Sequence, residues 1–424
     1  MTAFGCGRTQ GYADRMTDRT DADGRRADGG PSALLLVALG ALGAFGPLSM
    51  DLYLPGLPVL AADLAIGDTL AQLTMSACMV GLAIGQLVAG PMSDRIGRRV
   101  PILVGVAGFT IASLVCAFAG DVVVLLVARA VQGFAGAAGI VVSRAIVRDL
   151  ADGAGMARIF SRLMIVTGLA PVLAPLLGGA LLVWTDWRGL FVTLSGIGAA
   201  LFVLAWSTVP DTLAPERRSA GGLRALARRI GGLLGDVRFM GMVLAAGLAQ
   251  CVLFSYISMS ALVLQNQFGL SEVAFAALFA VNSVMIVACS QVNVFFVGRT
   301  TLKRIVLGAL AVGGVGSCAM LVGTWFGLGL VAVLVPLLGV VGMQGFLAPN
   351  LPSLALQDHA SGAGTAAALI GTSQFLVGAI VPPLAALGGA NAAVMATTML
   401  ACGVLAFALV ALLVREGPST PRRA

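Results

Sequence analysis

From Leu70 to Ala89 the chain carries no charged residue, and from Pro101 to Gly120 it carries none either. Between these runs lies Gly90-Pro91-Met92-Ser93-Asp94-Arg95-Ile96-Gly97-Arg98-Arg99, a short charged turn. Each run matches the roughly 20 residues a helix needs to cross a hydrocarbon layer. The glycines and the proline permit a tight reversal, and Arg95, Arg98 and Arg99 stand where a membrane helix ends. In a water-soluble protein the same residues would make an ordinary helix–turn–helix connection. Composition decides between the two readings. Of 424 residues, 58% are hydrophobic and only 11% are charged, with mean hydropathy +0.99. Soluble domains carry about 25% charged residues, so the solvent for most of this surface is expected to be lipid. An aromatic share of 6% and long apolar blocks without alternation argue against a barrel with aromatic girdles. The expected class is an all-α integral membrane protein.

Twelve apolar spans are predicted. Six fall near 33–58, 70–91, 101–120, 122–144, 159–183 and 187–209, and six near 237–260, 272–298, 302–322, 327–350, 363–386 and 391–414. Gly120-Asp121 leaves room for only a tight hairpin between spans three and four. The basic segment 210–236 divides the chain into 33–209 and 237–414, nearly equal in length, as a duplicated six-helix bundle would be. In that segment Leu226, Ile230, Leu233 and Leu234 share one side, so part of it reads as an interfacial helix in a cytoplasmic linker. Residues 1–32 are polar, lack the apolar core of a signal peptide, and read as a disordered cytoplasmic tail in which Met16 is an equally good start. Residues 415–424 read as a second tail.

With the N-terminal tail placed in the cytoplasm, the arginine and lysine clusters at 95–99, 144–162, 217–238, 299–304 and 415–423 all fall inside. Only Arg188 is left outside, where Asp63, Asp68, Asp121 and Glu272 stand. This is the positive-inside pattern, and it predicts both termini in the cytoplasm. It also accounts for the net charge of +7 without a nucleic-acid partner. The seven cysteines show no metal-type spacing and one histidine, His359, stands in a loop, so no metal is expected. Gly5, Gly7 and Gly11 make no phosphate loop, and no Walker motif is present. No cofactor is implied, and any transport must draw on a gradient.

An ionisable group inside lipid is costly and so marks function by default. Asp51 lies toward the outer part of span one, in Ser49-Met50-Asp51-Leu52-Tyr53-Leu54-Pro55. Either the helix ends early and the carboxylate sits at the headgroups, or it faces a cavity and exchanges a proton or meets a cation. Pro55 and Pro58 are expected to unwind that end of the helix. Tyr53 either lines the same cavity or anchors the interface. Arg129, inside span four, needs a partner or water at its depth, or else snorkels outward. Gln132 sits one turn below it, and Gly133 and Gly136 would admit a neighbouring helix. Span five holds Gly168, Pro171, Pro175, Gly178 and Gly179, which suit a bent helix packed tightly across the two halves. In the second half Gln250, Asn282 and Gln344 are cavity candidates, while Tyr256, Gln291, Asn293 and Asn350 also lie in or at the ends of spans.

These motifs resemble the major facilitator superfamily, and within it the proton-coupled drug exporters of the Bcr/CflA type. The turn from Gly90 to Arg99 is similar to that family's signature between spans two and three; Arg129-Ala130-Val131-Gln132-Gly133 and Gly168 to Gly179 resemble its span-four and span-five signatures. Pro47 to Pro55 resembles the opening helix of the subgroup. Ala170 stands where many members have glycine, and 293–304 keeps Gly298-Arg299 and Lys303-Arg304 but no recognisable aspartate. The resemblance implies twelve transmembrane helices in two six-helix bundles and a multi-pass monomer of the bacterial inner membrane. It implies a cytoplasmic gate of Gly90, Asp94, Arg95, Gly97, Arg98 and Arg99, with Asp94 and the arginines latching the two halves. It implies antiport of protons against a small amphiphilic drug or metabolite, with Asp51 contributing to substrate recognition or coupling and Arg129 to proton transfer, and no enzymatic reaction. A carrier of one specific metabolite is the nearest rival; a sensor or scaffold would show no flux at all.

Overall fold

The computed structural model describes residues 32–150, 153–213, 218, 228, 230–357 and 363–414. The expected tails, Leu226, most of the linker arginines and His359 lie outside these residues. The helices are α1 (Ala33–Gly43), α2 (Phe45–Asp51), α3 (Leu57–Asp63), α4 (Asp68–Ile96), α5 (Arg99–Ala117), α6 (Val122–Leu150), α7 (Gly153–Leu181) and α8 (Trp187–Thr208). After the basic segment come α9 (Val237–Ala261), α10 (Glu272–Phe296), α11 (Leu302–Trp325), α12 (Val331–Gly342), α13 (Gln344–Leu356), α14 (Ala363–Ala385) and α15 (Ala392–Leu413).

Among the described residues ten helices are long and apolar enough to cross a membrane, and eleven when the bent pair Ala33–Gly43 and Phe45–Asp63 counts as one. Twelve were expected, and the missing member corresponds to α7, of which the apolar stretch Leu169–Leu181 is too short to be counted as a span. Val104, Ile111, Val203, Val315 and Leu412 are exposed on these helices, as side chains facing lipid would be.

Helix starts are written in the sequence. The side chains of Asp121, Asp186, Ser271, Thr301 and Asn391 each accept a hydrogen bond from a free backbone N–H of the first turn that follows. Span one does not run straight. It bends by 45° near Ala44, then breaks after Asp51 into a 3-10 turn, Leu54–Gly56, before α3 resumes. Pro55 and Pro58 remove the donors that a continuous helix would need there.

Glycine sets the closest helix contacts. α4 crosses α6 so tightly that a methyl on Gly81 would overlap the Ala130 carbonyl, and one on Gly133 the Cys78 carbonyl. Polar bonds between the chain's two halves occur at the mid-depth and at the arginine-poor end. Thr69 Oγ1 donates to Ala386 O (2.8 Å), Gln265 Nε2 to Pro55 O (3.0 Å) and Ser283 Oγ to Pro171 O (3.1 Å). α4 packs on α14, and α7 on α10.

Candidate functional site

Arg129 is fully buried and does not snorkel. Its Nη1 donates to Ser49 O (2.8 Å) and to Gln132 Oε1 (2.5 Å), and its Nε donates to Thr74 O (3.2 Å). The ring of Tyr53 lies 4.3 Å from the guanidinium and that of Phe191 5.5 Å, so two π faces share the charge. Gln132 is held in turn, donating from Nε2 to Ser113 Oγ (2.7 Å). The Ser49 carbonyl belongs to the last turn of α2, where the break leaves carbonyls without helical donors and the helix dipole is negative. Arg129 therefore caps the broken end of span one, two residues from Asp51. Tyr53 is fully buried against Arg129, its hydroxyl 3.1 Å from Thr74 Oγ1. Among the described residues no carboxylate forms an ion pair with Arg129.

Asp51 is the last residue of α2, so the helix does end there, and at 4% exposure its carboxylate is buried within the protein. In the other half Tyr256 on α9 and Asn282 on α10 are likewise buried, and Asn282 Nδ2 donates to Leu278 O (3.0 Å). Sequence reasoning singled out Asp51 and Asn282 but gave Tyr256 no role; its signal was a lone tyrosine amid an apolar span. The other two candidates of the second half are Gln344 and Gln250. Gln344 is buried and donates to Ala249 O (2.9 Å), joining α13 to α9, and Gln250 is half-buried. Asn350 and Asn293 bond each other at 2.7 Å between α13 and α10.

Span five keeps Pro171 and Pro175 inside one helix of 29 residues. Gly178 lies so close to span one that a methyl there would overlap the Leu52 carbonyl. Gly179 faces the other half, where a methyl would stand 2.9 Å from Ala276 Cβ. Gly168 lies a turn before Pro171 in the same helix.

The Gly90–Arg99 segment, expected as a turn, is helical through Ile96 because Pro91 is accommodated inside α4, and only Gly97 and Arg98 make the reversal; it closes on its own half. Arg98 Nη1 binds Asp94 Oδ1 (2.5 Å) and Ser93 Oγ (2.9 Å), and its Nε binds Asp149 Oδ2 (2.8 Å) at the end of α6. Burial works against the Arg98 charge, but the bonds to Asp149 and Asp94 outweigh it and hold the pKa above the ordinary value. Asp211 Oδ1 accepts from the Arg98 backbone N–H (2.8 Å), and Asp211 Oδ2 pairs with Arg218 (2.9 Å). Gly97 has φ +98°, and a side chain there would collide with Asp211. Arg99 donates to Trp206 O (2.8 Å), while Arg95 and Asp94 stay exposed and Gly90 half-buried. The latch across the two halves implied for Asp94 is drawn here among Asp94, Arg98 and Asp149 of the first half, with Asp211 at the start of the linker. Neither Asp149 nor Asp211 was a candidate from the sequence, though each sits beside the clustered arginines.

At the opposite end Arg188 binds Asp63 (2.5 Å), to which Trp187 Nε1 also donates (3.1 Å). Arg188, the outlier of the arginine pattern, is therefore neutralised locally.

The sequence pattern of the Major Facilitator Superfamily matches residues 37–382. An uncharacterized MFS-type transporter, YdgK of Bacillus subtilis, is 35% identical over 88% of this chain and 93% of its own length. A bicyclomycin resistance protein homolog of Haemophilus influenzae is 30% identical over 88% of this chain and 94% of its own. The fold is similar to that of the E. coli xylose transporter XylE in a partially occluded inward open conformation, with TM-score 0.71 at 15% identity over 91% of this chain and 98% of that one. The chain is a multi-pass membrane transport protein, not an enzyme, and belongs to the Major Facilitator Superfamily.

Proposed function

We propose that this transporter is a proton-driven antiporter that exports amphiphilic drugs or metabolites from the cytoplasm. The observation that carries this reading is a buried cation, Arg129, capping the broken helix whose last residue is the buried carboxylate Asp51. A carboxylate in that position changes charge with proton supply, and the broken helix converts the change into motion at the interface. Linkage makes the effect mutual: a substrate that prefers ionised Asp51 lowers proton affinity by the same factor. The name of the bicyclomycin resistance homolog favours a drug over a nutrient.

In this reading α7 completes twelve spans in two six-helix bundles, 33–209 and 237–414, joined by a cytoplasmic linker at 210–236. Both termini face the cytoplasm of a bacterial inner membrane, because the arginine-rich end is the inner end. The bonds Thr69–Ala386 and Gln265–Pro55 then close the outer side, and the conformation is inward-facing. The protein works as a monomer.

Substrate-triggered proton movement in proteoliposomes tests it, with a panel of phenicols, cationic dyes and bicyclic antibiotics. A response to some compound, lost in Asp51→Asn, is expected. Silence across the panel with folded protein would leave a carrier of one narrow metabolite as the better account.

A further inference from the structure

α4 of the first half and α14 of the second pack along a seam, and three contacts fix their register. Thr69 Oγ1 donates to Ala386 O (2.8 Å). A methyl built on Gly378 would stand 2.7 Å from Met79 Cε, and one on Gly371 would stand 3.0 Å from Gln86 Oε1. The helices are thus antiparallel, and Gln72 stands opposite residues 383–385. Gln72, Met79 and Gln86 are spaced by seven residues and share the side of α4 that faces α14. Gln72 is fully buried, and among the described residues neither its Oε1 nor its Nε2 has a hydrogen-bond partner. The sequence of α14 explains why. Pro382 and Pro383, buried at this level, have no N–H to give the amide oxygen. The Ala386 carbonyl already accepts from Thr69 and from the Gly389 N–H. The carbonyls that the two prolines leave without helical donors, Gly378 O and Ala379 O, lie opposite Met79 and its neighbours, about two turns from Gln72.

We propose that Gln72 is a conformational spring: its two unpaired groups weigh against the state closed at the arginine-poor end, and water relieves them when that end opens. A buried donor or acceptor without a partner carries its full desolvation penalty, and Gln72 has both kinds. Thr69–Ala386, Gln265–Pro55 and Ser283–Pro171 pull the other way, as bonds between the halves that favour closure. A carrier that alternates needs two states of similar free energy, because a state held too firmly is not left. Gln72 offsets the closing bonds, so a modest difference in ligand affinity is enough to move the protein. It is a positioning residue of the transport cycle and touches no substrate. This rests on the alternating access read above, and on neither its protons nor its drugs.

The amide is separate from the Arg129 site. Thr74 O accepts from Arg129, and Gly81 packs on the Ala130 carbonyl, so that side of α4 belongs to α6. Gln72 precedes Thr74 by two residues and points to the opposite side of the helix. When α4 and α14 part at the arginine-poor end, water passes Thr69 first and meets Gln72 one turn further in.

Distances between spin labels at the arginine-poor ends of α4 and α14 read the two populations, on the full chain in lipid with neither substrate nor gradient. Gln72→Met keeps the length of the side chain and removes both polar groups, so the ratio is expected to move toward closure by about fivefold or more. Gln72→Glu needs water more than the amide does and is expected to move it toward opening. Thr69→Val, three residues away, loses a closing bond and is also expected to open the seam. Added to Thr69→Val, Gln72→Met is expected to restore closure, and Gln72→Leu repeats the test with a second apolar side chain. In detergent, Gln72→Met is expected to melt at or above the wild type. Packing damage would move Gln72→Met and Gln72→Glu the same way; equal signs, or an unmoved ratio in Gln72→Met, overturn the spring. Opening in Gln72→Met overturns it too, since the amide would then be bonded in the closed state, directly or through buried water. Coupled flux in the wild type with an unmoved ratio removes the spring alone. Shifts of opposite sign in a protein without coupled flux remove the antiport reading and leave the spring.

Discussion

Ser283 Oγ donates across the two halves of the chain to the carbonyl of Pro171, at 3.1 Å. That carbonyl is available because Pro175, four residues on, has no N–H to offer it. A proline in one half is thus matched by a hydroxyl in the other, as a broken ladder inside lipid requires. Ser283 also reaches its own Phe279 O at 3.0 Å, so one hydrogen serves two carbonyls.

Ser283→Ala should loosen the α7–α10 contact without unfolding the protein. Losing one such bond costs about 1 kcal/mol, enough to shift a two-state equilibrium about fivefold. Spin labels at the arginine-poor ends of α7 and α10 would report the change as a distance distribution moved toward separation. Unchanged populations would show that the bond does not hold the halves together, and Ser283→Thr should behave as the wild type.

Arg129→Leu should abolish proton-driven flux while sparing substrate binding. The guanidinium serves three acceptors on three elements, Ser49 O, Thr74 O and Gln132 Oε1. Each bond to a charged donor is worth about 1.5–3 kcal/mol, so a loss of flux on the order of tenfold or more is expected. Arg129→Lys should not restore it, because a single ammonium lacks the planar fork that spans these acceptors. Ethidium uptake into inverted vesicles, set beside ethidium binding, separates the cases: equal loss in both would make Arg129 a substrate or folding residue.

Much of this was legible in the sequence because lipid leaves so few solutions. Uncharged runs, the arginine-rich turns and the prolines at 55 and 58 announced the helices, the arginine-rich end and the break in span one. Arg129 stood out because a guanidinium in an apolar run has to be explained. What it touches was not legible, since two of its three partners are backbone carbonyls, and any residue supplies one. The roles of Ser283, Asp149 and Asp211 were hidden for a related reason: each acts on a group far away in the chain, and a lone serine or a loop aspartate looks ordinary. Gln344 shows a polar residue in a span doing two things: it donates to the Ala249 carbonyl on α9 and also lines a small cavity with Val252, Ala309 and Leu310.

Arg98 should matter more than Asp94. Asp94→Asn removes one half-exposed partner and leaves Arg98 bound to Asp149 and Ser93. Removing Arg98 instead leaves Asp149 and Asp94 facing each other without a cation between them. Transport at matched expression should therefore fall modestly in Asp94→Asn and much further in Arg98→Ala, with membrane insertion intact in both. Normal flux in Asp94→Asn would remove the aspartate from the gate.

Gly178 and Gly313 form a pair of opposite tests. Gly178 meets the Leu52 carbonyl, a backbone group in the broken stretch of span one that cannot swing aside as a side chain would. Gly178→Ala must push α7 and the break apart, and forced overpacking of this kind costs about 1–3 kcal/mol. Nothing lies within 4 Å of a methyl built on Gly313 in α11, so Gly313→Ala gains helix propensity, up to about 1 kcal/mol, and strains nothing. Thermal unfolding in detergent should show Gly178→Ala melting lower and Gly313→Ala melting at or above the wild type. Because the Leu52 carbonyl follows Asp51 directly, Gly178→Ala should also lose coupled flux. If it transported normally despite a lowered melting point, the contact of α7 with the break would be packing alone and not part of the moving interface.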